Sequence, residues 1–196
     1  MIKKIIRKIM RKIESKKYGH LGDGSRIKHP VTCTNRQYIY IGDRVTIEDN
    51  AYIEPIMVNI DNEGKSYPLH PKLEIQDGVW IGPGAHINCA NSVIIHKDVL
   101  ISSYVMITDL DHVYSDPFRP VSRQPLEVKS TEIDEQAFIG TGVKILAGVH
   151  IGKHAVIGAN SVVNRDIPDY TVAVGIPAKI VKKYNKETGL WDKVQV

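Results

Sequence analysis

The sequence predicts an all-β solenoid in which six-residue repeats wind into a stack of three-sided coils. An Ile or Val returns every six residues in four separate runs. A smaller residue, Val or Ala, stands four places after most of these positions. The fifteen recurring positions are Ile41, Ile47, Ile53, Ile75, Ile81, Ile87, Ile95, Ile101, Ile107, Ile133, Ile139, Ile145, Ile151, Ile157 and Val163.

A period of six residues fits neither of the common amphipathic patterns. A surface helix repeats its apolar residues at three and four, and a half-buried strand repeats them at two. Six residues can instead supply one short strand and one tight turn, so that three repeats close a coil and coils stack roughly 4.8 Å apart. Each inward Ile then stabilises the fold by roughly 1.5–3 kcal/mol. The alternative, an antiparallel sandwich, would show two-residue alternation and irregular turn spacing.

Three insertions interrupt the period, and insertions in a solenoid form loops outside the stack. The longest lies between Ile107 and Ile133 and contains "ITDLDHVYSDPFRPVSRQP", which places His112 between carboxylates and prolines. Long loops in compact domains are usually functional. We therefore predict a solenoid over residues 19–175 that carries a protruding functional loop at residues 108–132.

Both ends of the chain are predicted to be helical. Residues 1–18 form a basic amphipathic helix, with Ile and Met on one side and Lys and Arg on the remainder. Residues 176–196 form a short helix that begins after Pro177, followed by a tail.

Composition indicates one globular domain and argues against two classes of protein. The 196 residues are 42% hydrophobic and 24% charged, and no stretch approaches the roughly 20 apolar residues of a membrane span. Cys33 and Cys89 lie far apart, which fits a reducing cytoplasm better than a disulfide framework. Residues 1–17 carry a net charge of +7, whereas the rest of the chain carries −3. A nucleic-acid-binding protein would be expected to carry its basic surface on the folded domain.

Two segments, "DHVYSDPFRP" and "IGTGVKILAGVHIGKHAVIGANSVVNRDIPDYTVAVGIPAKIVKK", occur in this order in the sequence. With the repeats, over roughly residues 20–183, they resemble the left-handed β-helix hexapeptide-repeat acyltransferases. The likeness is greatest to the sugar O-acetyltransferases of the galactoside, maltose and cell-surface-polysaccharide type. The resemblance implies a left-handed parallel β-helix of triangular cross-section, a homotrimer, and acetyl transfer from acetyl-CoA to a hydroxyl of a sugar or saccharide precursor, without a metal.

The resemblance also implies roles for individual residues. His112 would be the general base, facing a coenzyme held partly by the neighbouring subunit. Phe138 stands where the family often has Trp and would flank the pantetheine arm. Thr141 would hold the thioester oxygen through its backbone N–H. The remaining coenzyme contacts would be Ala159 along the pantetheine channel and, near the phosphates, Arg165, Lys179 and Lys182.

The residues themselves support this chemistry. An alcohol needs a base, and a positioned histidine can accept its proton near neutral pH, which contributes typically about 10²–10⁴-fold. Nothing around the two cysteines resembles an activated thiol, so the acetyl group would pass directly within a ternary complex. Asp109, Asp111 or a backbone carbonyl could orient the ring of His112, and the sequence does not choose among them.

Other functions on the same fold have distinguishable requirements. A xenobiotic O-acetyltransferase would use the same base with an antibiotic hydroxyl as acceptor. A zinc carbonic anhydrase needs three imidazoles on one metal and pairs two histidines five positions apart, whereas Pro117 stands five places after His112. A non-catalytic scaffold would not need the long loop or the basic C-terminal residues.

The basic N-terminal segment, residues 1–17, has two interpretations that one experiment separates. It could cover the open end of the solenoid, or it could lie on an anionic membrane, where each basic residue contributes about 1 kcal/mol. Binding at the inner membrane face would place a cytoplasmic enzyme near lipid-linked saccharide precursors. We expect the intact chain to float with anionic liposomes at low salt, and a chain lacking residues 1–17 to stay behind. Failure of the intact chain to float would leave the end-cap interpretation.

Overall fold

The computed structural model describes residues 13–60 and 64–194, and its main feature is three sheets of short parallel strands. The chain passes through the three sheets in turn, so that each sheet forms one face of a coil. Strands are numbered in chain order. Face A comprises β1 (His20–Leu21), β4 (Ile39–Ile41), β9 (Lys72–Ile75), β12 (Ser92–Ile95), β17 (Thr131–Ile133) and β20 (His150–Ile151).

Faces B and C complete each coil. Face B comprises β2 (Arg26–Ile27), β5 (Thr46–Ile47), β10 (Trp80–Ile81), β13 (Leu100–Ile101), β18 (Phe138–Ile139), β21 (Val156–Ile157), β23 (Thr171–Gly175), β24 (Ala178–Asn185) and β25 (Leu190–Lys193). Face C comprises β3 (Thr32–Cys33), β6 (Tyr52–Pro55), β11 (His86–Cys89), β14 (Met106–Ile107), β19 (Lys144–Ile145) and β22 (Val162–Val163). The prediction of a three-sided parallel solenoid is confirmed.

The interior is the predicted column of aliphatic side chains. All fifteen recurring Ile and Val residues are at most 1% exposed. Parallel pairing brings equivalent residues together, as in the row formed by Ile101, Ile139 and Ile157 on face B. The smaller Val and Ala residues four places on are buried as well. The apolar core therefore runs the length of the stack.

Glycines that follow the recurring Ile allow successive coils to approach closely. A Cβ on Gly140 would lie 2.7 Å from the carbonyl oxygen of Ile157 and 2.8 Å from the amide nitrogen of Ala159. Real Cβ atoms do not approach backbone this closely, so a side chain here would push the coils apart. The left-handed turn position comes two residues later and accepts other residue types, such as Arg44 (φ 56°) and Tyr104 (φ 58°).

All three insertions leave the stack at the same corner, between face C and face A. The first contains the antiparallel hairpin β7 (Val58–Ile60) and β8 (Ser66–Pro68). The second is the two-residue addition, and it forms the turn between β11 and β12. The third contains the hairpin β15 (Leu110–His112) and β16 (Leu126–Val128). Because their coils are neighbours, the insertions follow one another along this corner, which we call the insertion ridge.

The short 3-10 helices, Arg36–Tyr38 and Val121–Arg123, also lie at this corner or in the third insertion.

The C-terminal helix predicted for residues 176–196 is wrong. Residues 178–185 form β24, which pairs antiparallel with β23, and β25 pairs antiparallel with β24. The end of face B offers a row of unpaired backbone groups, and a following segment can satisfy them only as a strand. The β-branched pair Ile180 and Val181 favours that conformation. Pairing with the sheet therefore outweighs the helical preference of the surrounding lysines.

The structure describes only the last residues of the predicted N-terminal helix. Residues 13–15 are helical, and the rest of the predicted basic helix, residues 1–12, lies outside the described residues. Glu14 forms an ion pair with Arg36 (2.8 Å), which holds this end against the first coils, and a local ion pair with Lys17 (3.0 Å). Within the described ranges, no helix combines the length and apolar character needed to cross a membrane.

Candidate active site

His112 stands on the third insertion, outside the solenoid. It is the last residue of β15 and pairs with Leu126 of β16. Its backbone N–H donates to Asp111 Oδ1 at 2.8 Å, and its side chain is exposed. Among the described residues, neither ring nitrogen has a hydrogen-bond partner. The imidazole is therefore available to a substrate.

Asp109 is not the group that orients the ring of His112. Its side chain is 0% exposed, and its carboxylate accepts hydrogen bonds from three consecutive backbone N–H groups at 2.7 Å each, those of Ala90, Asn91 and Ser92. This carboxylate belongs to the base of the hairpin. Of the two candidate carboxylates, only that of Asp111 is exposed.

Face B carries the predicted aromatic and one predicted basic residue in a single outward row. Strand pairing places Phe138 beside Val156, Val156 beside Val172, and Val172 beside Lys182. The row spans three strand spacings, or about 14 Å. A register shift in β24 puts Lys179, opposite Val174, on the same outer side of the sheet. An elongated ligand along face B could therefore meet an aromatic ring at one end and ammonium groups at the other.

Thr141 and Ala159 occupy the adjoining corner, between faces B and C, on successive coils. The carbonyl of Thr141 accepts the N–H of Asn160 at 2.8 Å, which ties the two turns together. Both residues are exposed. Within the described part of the chain, the N–H of Thr141 has no hydrogen-bond acceptor. This N–H can therefore donate to a ligand lying at the edge of face B.

A single chain does not bring the predicted site together. His112 and Arg165 lie at the corner between faces C and A, with Arg165 two coils further along. The other coenzyme candidates lie on face B or at its corner with face C. Face C separates the two groups, so Arg165 stands apart from the residues with which the sequence grouped it.

The sequence prediction missed an apolar stripe on the outside of face B. Trp80, Leu100, Phe138, Val156 and Val172 follow one another in register along the sheet. Leu100 is 43% exposed and Phe138 is 38% exposed. The sequence contains the pattern that predicts this stripe. It consists of the residue immediately before the recurring aliphatic residue, taken from every third repeat because every third repeat lies on face B. Such a stripe on an exposed sheet suits an apolar ligand arm or a neighbouring subunit.

The cysteines are unsuited to nucleophilic catalysis. Burial raises the pKa of the Cys89 thiol to about 12, and the charge of Asp109 adds to the shift. Burial also raises the pKa of Cys33. Catalytic thiols need a lowered pKa because the thiolate is the nucleophile. Both residues are therefore neutral thiols at physiological pH, in agreement with the prediction that neither is an activated thiol.

One group of potential metal ligands lies elsewhere. His96, Glu132 and Asp134 bring ligand atoms within 4.8 Å of one another at the corner between faces A and B. Hydrogen bonding accounts for their proximity, since His96 Nε2 lies 2.6 Å from Glu132 Oε1 and His150 Nε2 lies 2.9 Å from Asp134 Oδ2. The group does not include His112.

Comparison with known proteins identifies the family. A family model described as bacterial transferase hexapeptide (six repeats) matches residues 130–165. The putative acetyltransferase YJL218W of Saccharomyces cerevisiae is 32% identical over 170 residues, which make up 86% of this chain and 68% of the yeast protein. The chain belongs to the hexapeptide-repeat acyltransferases. Its three parallel faces fit the left-handed β-helix of such an acyltransferase.

Two further comparisons concern ligands and substrates. This chain is 44% identical over 124 residues to WbbJ of Escherichia coli, a putative lipopolysaccharide biosynthesis O-acetyl transferase, with 60% of this chain and 63% of WbbJ covered. It is also similar to the acetyltransferase VCA0836 of Vibrio cholerae, solved with acetyl coenzyme A (TM-score 0.58, 26% identity, 92% and 79% of the chains covered). The chain spans 50–63% of the length of the first curated relatives that it matches.

The raised pKa of Cys89 predicts a loss of stability at alkaline pH. The unfolded chain loses this proton near the ordinary value of 9.0, whereas the folded chain keeps it until about 12. Between these values the unfolded state binds fewer protons, so the free energy of unfolding falls as pH rises. We expect urea denaturation between about pH 9 and 11 to show this fall, with a shallower slope for Cys89→Ala. Identical slopes would contradict the assignment.

Proposed function

We propose that this acyltransferase moves an acetyl group from acetyl-CoA to a hydroxyl of a sugar or saccharide precursor, at sites shared between the subunits of a homotrimer. The observation that carries the proposal is the separation of His112 from Phe138, Thr141 and Ala159 on one chain. Joining them requires a second copy, whose face B lies against the insertion ridge of the first. Similarity to an O-acetyl transferase of lipopolysaccharide biosynthesis supports the acceptor class.

His112 acts as the general base. The neutral imidazole takes the proton of the acceptor hydroxyl while the hydroxyl oxygen attacks the thioester carbonyl carbon. The C–S bond then breaks, and the imidazolium returns its proton to the departing thiolate. Because Cys33 and Cys89 are neutral thiols, the acetyl group passes directly to the acceptor within a ternary complex. The exposed imidazole needs no rearrangement of the solenoid to reach both substrates.

Face B and its corner with face C hold the coenzyme. The free N–H of Thr141 stabilises the oxyanion that forms during attack, since a fixed donor costs no reorganisation. Phe138 and Ala159 flank the pantetheine arm, and Lys179 and Lys182 attract the phosphates at the far end of the row. Arg165 reaches the phosphates from the subunit that supplies His112, because both residues lie at the same corner.

Replacing His112 tests the base. His112→Ala should lower kcat by about 10²–10⁴-fold, because it removes proton transfer but no core contact. Thiol release from acetyl-CoA, measured over a panel of galactosides, amino sugars, capsular repeat units and hydroxylated antibiotics, provides the assay and identifies the acceptor. His154→Ala, at another exposed histidine, is the control and should keep wild-type turnover. Wild-type turnover in His112→Ala would remove the residue from the mechanism.

Mixing two inactive variants tests whether the site is shared. Phe138→Asp should block the coenzyme channel with a charge, and His112→Ala lacks the base. If each site takes its base from one subunit and its channel from the next, randomly reassembled hybrid trimers regain about a quarter of the wild-type sites. A site contained in one chain would regain none. Sedimentation should show a species of three 22.0 kDa chains in each sample.

A further inference from the structure

We propose that Asp109 is a positioning residue that holds His112 in place by fastening the base of its hairpin to the preceding coil. The proposal rests on the role of His112 proposed above. Asp109 is fully buried, and it lies three residues before His112, immediately before the first residue of β15. Its carboxylate faces the turn of the second insertion, residues 90–91, and the first residue of β12, Ser92.

The contacts explain why a carboxylate is needed at this position. One oxygen accepts the N–H of Ala90, and the other accepts those of Asn91 and Ser92, all at 2.7 Å. The two added residues open this corner, so these N–H groups point at Asp109 rather than at a neighbouring strand. An ionised carboxylate offers acceptors on both oxygens, whereas an amide would direct a donor at one set of N–H groups. Burial of the charge is offset by these three donors.

Further hydrogen bonds near Asp109 join the segment that precedes β15 to the segment that follows β16. The carbonyl of Asp109 accepts the N–H of Lys129 at 2.7 Å. One residue lower, the hydroxyl of Thr131 donates to the carbonyl of Thr108 at 2.8 Å and accepts the N–H of Gly148 at 3.2 Å. Thr108 and Thr131 are buried. The hairpin therefore rises from a buried polar base, and above it the short strands β15 and β16 carry His112 into solvent.

A shift at this base passes directly to the imidazole. The path from Asp109 to His112 is three residues of extended backbone, and no core side chain of the solenoid intervenes. A displacement of about 1 Å at a reacting group can cost 10²-fold in rate. Asp109 thus affects turnover through the geometry of His112, without contacting either substrate.

The test is Asp109→Asn, which keeps the size of the side chain. Asp77→Asn is the matched control, because Asp77 Oδ1 also accepts a backbone N–H (Asp43, 2.9 Å) but at the corner between faces A and B. We expect Asp109→Asn to raise hydrogen exchange of the β15 and β16 amides about tenfold or more and to lower kcat by about 10–10²-fold. Acetyl-CoA affinity and exchange in the solenoid core should stay unchanged. Asp77→Asn should change neither the hairpin nor kcat.

Two outcomes would overturn the proposal. The first is wild-type hairpin exchange and wild-type kcat in Asp109→Asn. The second is loosening of the whole solenoid together with loss of acetyl-CoA binding, which would make Asp109 a general fold residue. If Asp109→Asn does not fold, Thr131→Val decides, because it removes a second tie of the same base and should reproduce the hairpin loosening and the kcat loss in weaker form. Hydrogen exchange can be measured without a sugar substrate. It therefore reports on the base of the hairpin even if no acceptor is acetylated and the proposed function fails.

Discussion

Every outward position in this protein depends on the inward column of aliphatic side chains. The column fixes where each strand begins, because a slip of one residue would turn the Ile row toward solvent. Strand pairing then repeats that register from coil to coil. As a result, Phe138 and Lys182 align across three strand spacings although 44 positions separate them in the sequence. The outward row on face B is therefore a consequence of core packing, and it needs no dedicated scaffold.

The repeats made the solenoid predictable. The segments outside the repeats, namely the third insertion and the C-terminal strands, were not predictable in the same way. The fifteen aliphatic positions were sufficient because burial acts on each of them in the same way. The hairpin of the third insertion was missed because its strands are only three residues long and show no clear alternation. The C-terminal strands were missed for a different reason. Their lysine-rich sequence favours a helix locally, but the neighbouring strand edge decides the conformation, and a local pattern does not contain that edge.

The candidate site shows the same division. The break in the period pointed to the loop that carries His112, and the structure places that residue on an exposed hairpin. The assignment of residues to corners could not be read from motif matching, which grouped Arg165 with residues on the far side of face C. Each coil contains three repeats, so the position of a repeat within its coil gives its face. Counting repeats in this way would have separated Arg165 from the residues on face B. The contacts of Asp109 were also hidden, because a carboxylate close to a histidine in the sequence resembles an orienting partner until its three backbone donors are seen.

Confinement of all three insertions to one corner has a consequence for how relatives could diverge. Length changes along the insertion ridge leave the aliphatic column, face B and the remaining corners untouched, so one part of the molecule can vary while the others stay constant. A lineage could exchange hairpins on the ridge without altering the outward row on face B. The architecture therefore separates the part of the chain that can change in length from the part that fixes the register of the sheets, and it does so by geometry alone.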